Sequence, residues 1–96
     1  MDKRAGAQAD CFIAGSLAYR DGGEVKPAVD VEVRLMKEGK LTTLSATDFS
    51  GDFRIGRIAK NSGVYELVCV FDGYEPIRRE VTVGEESPCL EVMIFS

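Results

Sequence analysis

From residue 10 onward, apolar side chains recur at every second position rather than every third or fourth, which predicts strands and no amphipathic helix. The cleanest run places Val29, Val31, Val33 and Leu35 on one side of an extended chain, with Asp30, Glu32 and Arg34 on the other. One face lies in a core and one in water. Phe53 and Ile55 repeat the pattern, separated by Asp52, Arg54 and Gly56. Residues 64–71 are apolar at most positions, with Glu66 the one charge, and predict a central strand. Residues 10–19 predict a first strand with a bulge at Gly15. Segments 41–47, 77–83 and 89–95 complete a set of about seven strands.

Turn residues separate these runs. Asp21-Gly22-Gly23 and Pro27 mark 20–27 as a loop, and Lys37-Glu38-Gly39-Lys40 as a turn. Asp48 and Ser50 carry short polar side chains that cap turn amides, and Gly51 can take a positive φ. Asn61-Ser62-Gly63 and Asp72-Gly73 follow, the latter a hairpin signal. Pro76 places the next segment at a sheet edge, and residues 84–88 form an acidic turn. Short strands at this spacing predict an all-β, seven-stranded antiparallel sandwich with Greek-key, Ig-like connections. Its expected core is Phe12 or Ile13, Val31, Val33, Leu35, Leu44, Phe53, Ile55, Tyr65, Leu67, Cys69, Val81, Val83, Val92 and Ile94. Residues 1–9 read as a disordered tail or linker, and 10–96 as a single domain.

Composition narrows the function. Apolar residues make up 45% and charged residues 29%, ordinary for a globular protein. The formal charge of −4 argues against a nucleic-acid partner, whose phosphates need clustered positive charge. No apolar run approaches the roughly 20 residues of a membrane span, and the N-terminus lacks the apolar stretch of a signal peptide. A cytoplasmic location is the default expectation. Three cysteines, Cys11, Cys69 and Cys89, are an odd number without ligand spacing; they read as small strand hydrophobes, with a disulfide between two of them an open alternative. There is no histidine, and a zinc or iron–sulfur site is not expected. No cofactor is expected.

Candidate chemistry is sparse. Asp48-x-Ser50-x-Asp52 resembles the start of a calcium loop, but its glycine is fourth rather than sixth and Ala59 stands at the twelfth position. A capped turn is the expectation. Glu85 and Glu86 sit in a polar turn, and no serine lies in a nucleophile motif, so no catalysis is predicted. Arg78-Arg79 is a basic doublet that could belong to a docking face. Tyr74, just after Asp72-Gly73, is expected to lock its turn by packing its ring and bonding its hydroxyl to backbone, as a tyrosine corner does. Phe49 and Tyr74 are aromatics near loops. Phe49, Tyr74, Arg78 and Arg79 are therefore the candidate binding residues.

Thr47-Asp48-x-x-Gly51-x-Phe53, then Gly63-x-Tyr65-x-Leu67, Gly73-Tyr74 and Val81-x-Val83 resemble the carboxypeptidase regulatory-like family. The likeness covers about 12–95 and implies the transthyretin-like, or prealbumin-like, sandwich. Within that family, the run from Thr47 to Phe53 with the later Asn61-Ser62-Gly63-Val64-Tyr65 is similar to the domains that end the iron–sulfur subunits of some molybdopterin oxidoreductases, such as the transhydroxylase acting on pyrogallol and phloroglucinol. The resemblance implies an accessory role beside a catalytic partner. It does not extend to the related hydroxyisourate hydrolases, which depend on histidine. Two functions remain open: a non-catalytic accessory or protein-interaction domain of a larger protein or complex, and a carbohydrate- or small-ligand-binding module.

Overall fold

The computed structural model describes residues 10–96. The tail expected over 1–9 lies outside the described residues. Among the described residues, eight strands form two four-stranded sheets packed face to face: β1 (Asp10–Asp21), β2 (Glu24–Pro27), β3 (Glu32–Lys37), β4 (Lys40–Ala46), β5 (Asp52–Ala59), β6 (Gly63–Val70), β7 (Ile77–Val83) and β8 (Met93–Phe95). One sheet runs β4-β3-β6-β7, with every pair antiparallel. The other is built on β1, which pairs antiparallel with β5 along its first half and with β2 along its second, and parallel with β8. The antiparallel sandwich expected from the pattern is thus present, with one parallel pair added.

The eighth strand comes from 20–27, where a loop was expected. Gly22-Gly23 is instead the two-residue turn of a hairpin, with Gly22 at φ 65°, pairing Asp21 with Glu24 and Tyr19 with Lys26. Lys26 donates to Asp21 across it at 3.0 Å. That hydrogen bond and the Asp21 charge raise the lysine's pKa.

The core collects Ile13, Leu17, Val31, Val33, Leu35, Phe53, Ile55, Tyr65, Leu67, Cys69, Val81, Val83, Met93 and Phe95, among others. Of the expected pair, Ile13 is buried and Phe12 half-buried. Three expected core residues are corrected. Val92 is exposed and Ile94 half-buried, while their neighbours Met93 and Phe95 are buried. Residues 88–90 already bond to β1, through Ala14 N–H to Pro88 O and Leu90 N–H to Ala14 O. The chain then breaks before β8, and a one-residue slip exchanges the two faces. Leu44 is 55% exposed because it points to the outer side of an edge strand. The bulge expected at Gly15 falls elsewhere, where the β1–β5 register shifts between Cys11 and Ile13. Gly15 itself faces Phe53 in regular register.

Two crossings tie the sheets together. Thr47, buried, accepts from Val31 N–H at 2.9 Å and donates its hydroxyl to Ala28 O at 2.6 Å, pinning the entry to β3 against the exit of β4. Gly51, at φ 83°, carries the chain to β5 so close to β1 that an added Cβ would lie 2.5 Å from Leu17 O.

Candidate binding surface

The sequence-predicted site residues do not assemble. Phe49 projects from the tip of the turn before β5 and is 84% exposed. Asp48 holds that turn: its Oδ1 accepts from the amides of Ser50 and Asp52, and its carbonyl from Gly51 N–H. Asp52 in turn accepts from the Ser16 hydroxyl at 2.6 Å. The Asp48 carboxylate thus caps its turn as expected, whereas that of Asp52 ties β5 to β1. Tyr74 belongs to a different cluster. Its ring stacks on Phe71 at 5.4 Å and meets Tyr19 and Phe95 at 5.9 Å each, and its hydroxyl donates to Arg20 O at 2.9 Å. The tyrosine bonds backbone as predicted, but the partner lies on β1, so it ties the β6–β7 connection to the other sheet. None of the aromatic pairs among the described residues includes Phe49.

The arginine doublet is split by strand geometry, since neighbours on a strand point to opposite faces. Arg78, opposite Val68, lies on the outer face and approaches Glu66 at 3.7 Å. Arg79, opposite Leu67, lies on the inner side at the sheet edge. The cysteines also divide. Cys11 and Cys69 are buried, whereas Cys89 is exposed, against the expectation of three packed hydrophobes. All three are free thiols. Burial pushes the Cys69 thiol up to about 11, and the Arg79 charge pulls the other way.

What the structure does bring together is the outer face of the β4-β3-β6-β7 sheet. The ladder sets Glu32, Arg34 and Met36 of β3 beside Ala46, Leu44 and Leu41 of β4, and beside Val70, Val68 and Glu66 of β6. A register shift opposite Leu35 and Met36 leaves Leu41 paired with Met36, so both leucines of β4 emerge on this face. Leu41 is 52% exposed and Val64 50%. Two ion pairs, Arg34–Glu32 and Arg78–Glu66, lie among them. Two shallow clefts flank Asp30 and Glu32. One of about 500 Å³ is lined by Asp30, Glu32, Leu44, Ser45 and Ala46, and one of about 260 Å³ by Asp30, Glu32, Val70, Phe71 and Asp72. Sequence reading missed this face because it counted Leu44 as core; the signal was the absence of charge in 41–46.

No family model and no curated protein matches the sequence. Solved structures match its fold. The minor pilin of Streptococcus agalactiae superposes with a TM-score of 0.68 at 19% identity over 91% of this chain, which spans 44% of that one. A DUF3823 family protein from Bacteroides ovatus gives 0.61 at 15% identity, over 91% of this chain and 44% of its own. A Pseudomonas aeruginosa protein proposed to bind carbohydrate gives 0.63 at 14% identity, covering 97% of both chains. At these identities the likeness is one of fold. The oxidoreductase-subunit resemblance has no support among these structures.

Proposed function

We propose that this chain is a non-catalytic accessory module that binds another polypeptide, of the carboxypeptidase regulatory-like kind. The observation that carries this reading is the outer face of the β4-β3-β6-β7 sheet. There Leu41, Leu44 and Val64, each about half exposed, lie among ion-paired arginines and glutamates. Mixed apolar and charged surface of this sort is what transient protein interfaces present. The likeness to one part of a longer pilin fits a module carried within larger assemblies.

The test compares the domain with a Leu41→Lys/Val64→Lys variant as bait against the native extract. Both residues are exposed, so the variant keeps its fold. A protein retained by the parent and lost by the variant supports the reading; identical profiles overturn it.

A carbohydrate-binding reading rests on the Pseudomonas aeruginosa structure, which matches in fold over 97% of both chains. Sugar sites favour exposed aromatic faces, and Phe49 is the residue that would supply one. A glycan array on which Phe49→Ala binds as the parent does would remove this reading.

A further inference from the structure

We infer that β4 is a docking edge for an extended basic segment of a partner polypeptide, whose lysine or arginine lies over Leu44 toward Asp30 and Glu32. This rests on the protein-binding reading above and names its partner chemistry.

The sheet edges are unequally protected. β7 carries Arg78, Arg79 and Glu80 behind Pro76. β2 is four residues long and ends on Pro27, and β8, which pairs with β1 alone, is three residues long. β5 carries Asp52, Arg54 and Arg57, with a register break against β1. Charge, proline, shortness and bulges are the usual defences of an open edge. From Leu41 to Ala46, β4 has neither charge nor proline. Its bulge lies at the Lys40 end and leaves Thr43 to Ala46 in regular register with β3.

The direction of its amides follows from the ladder. Thr47 N–H donates to Val31 O, so Thr47 turns its backbone groups toward β3. Antiparallel strands alternate in this respect, so Ser45 and Thr43 also face β3, whereas Leu44 and Ala46 direct N–H and C=O outward. An incoming strand would pair there.

The cleft beside that edge selects the side chain. Leu44 and Ala46 form an apolar wall, and Asp30 and Glu32 stand at its end. Among the described residues Asp30 has no ion-pair partner, and Glu32 has Arg34 alone. A methylene stem ending in a cation matches both parts. The chain's own charge of −4 favours a basic partner over a second copy.

The probe is four pools of capped nine-residue peptides, random except for a central lysine, arginine, glutamate or leucine. Binding is read by amide shifts of the labelled domain. The lysine and arginine pools should bind about tenfold more tightly than the glutamate pool, with shifts centred on Leu44, Ala46 and Asp30. Leu44→Pro should abolish the response, since its outward N–H is outside the β3 ladder and the fold is retained. Asp30→Asn/Glu32→Gln should level the pools while leaving the edge intact; asparagine suits the φ of 58° at position 30. Equal binding of all pools overturns the inference, as does concentration-dependent dimerisation through β4 without peptide. If no pool binds but the outer-face variant still loses a protein in the bait experiment, this inference fails and the protein-binding reading stands. If both experiments are blank, both fail.

Discussion

The ring of Phe53 fills the space that a side chain on Gly15 would occupy: a Cβ built there lies 2.8 Å from Phe53 Cζ. The two are cross-strand partners in the β1–β5 ladder, and the glycine lets the ring lie across β1 and reach the core. Gly15→Ala should therefore lower stability by about 1–3 kcal/mol through overpacking. Phe53→Leu made in the same chain should recover part of that loss, so that the double variant costs less than the sum. Denaturant melts of the four proteins decide it; strict additivity would mean the ring does not set the constraint.

Thr47 joins two backbone groups from the β2–β3 connection. Thr47→Val keeps the shape and leaves Val31 N–H and Ala28 O without their partner. The expected loss is about 3 kcal/mol, while Thr47→Ser should lose about 1 kcal/mol or less, because the hydroxyl remains. A larger loss for Thr47→Ser than for Thr47→Val would show that the methyl group, not the hydroxyl, matters.

Tyr74→Phe removes the hydroxyl bond to Arg20 O and keeps the stack on Phe71. A loss of about 1 kcal/mol is expected from this partly wet bond. Peptide and partner binding at β4 should be unchanged, and a binding defect would place Tyr74 in the interface instead.

The thiols should separate in a labelling experiment. Cys89 is exposed and should react with a maleimide in the native state, whereas Cys11 and Cys69 should react only after unfolding. Cys69 also gives a pH signature. Its folded pKa is raised to about 11 from the ordinary thiol value of 9.0, chiefly by burial. The folded state thus holds the proton more tightly, and this contribution is fully present below pH 9. It is lost as pH rises from 9 toward 11, by on the order of 2 kcal/mol at pH 10.5. Cys69→Val should flatten that part of the stability profile, measured by urea melts at pH 8 and pH 10.5.

Millimolar calcium should leave the melting temperature unmoved. Asp48 Oδ1 is already bonded to two amides and Asp52 to Ser16, so the turn before β5 has its carboxylates engaged. A rise of several degrees would overturn this account of the loop.

Much of the architecture was legible along the chain. Alternation at Val31, Val33 and Leu35, at Phe53 and Ile55, and at Val81 and Val83 named buried residues correctly, because a strand with one wet face writes its burial at period two. The pattern also placed Tyr65, Leu67 and Cys69 inward on β6. It failed where alternation is interrupted. The break before Met93 exchanged the faces of β8, and the hairpin at Gly22-Gly23 was hidden because the same residues punctuate loops and two-residue turns. The binding surface was least legible: Phe49, Tyr74, Arg78 and Arg79 suggested themselves by residue type, yet they lie on separate parts of the fold.

Local order alone was enough for extended segments, most turn positions and the sandwich class, since propensity and the period of burial act between near neighbours. Distant contacts determined which strand became an edge, which face of it stayed wet and what stood beside it. Leu44 is apolar in any reading; it becomes surface because, among the described residues, β4 has β3 on one side and no strand on the other. Asp30 and Glu32 acquire Leu44 and Ala46 as neighbours through the β3–β4 register, and Cys89 is exposed because the chain passes β1 before β8 begins. Those outcomes depend on how the two sheets cross at Thr47 and Gly51, a geometry that period-two patterning does not encode.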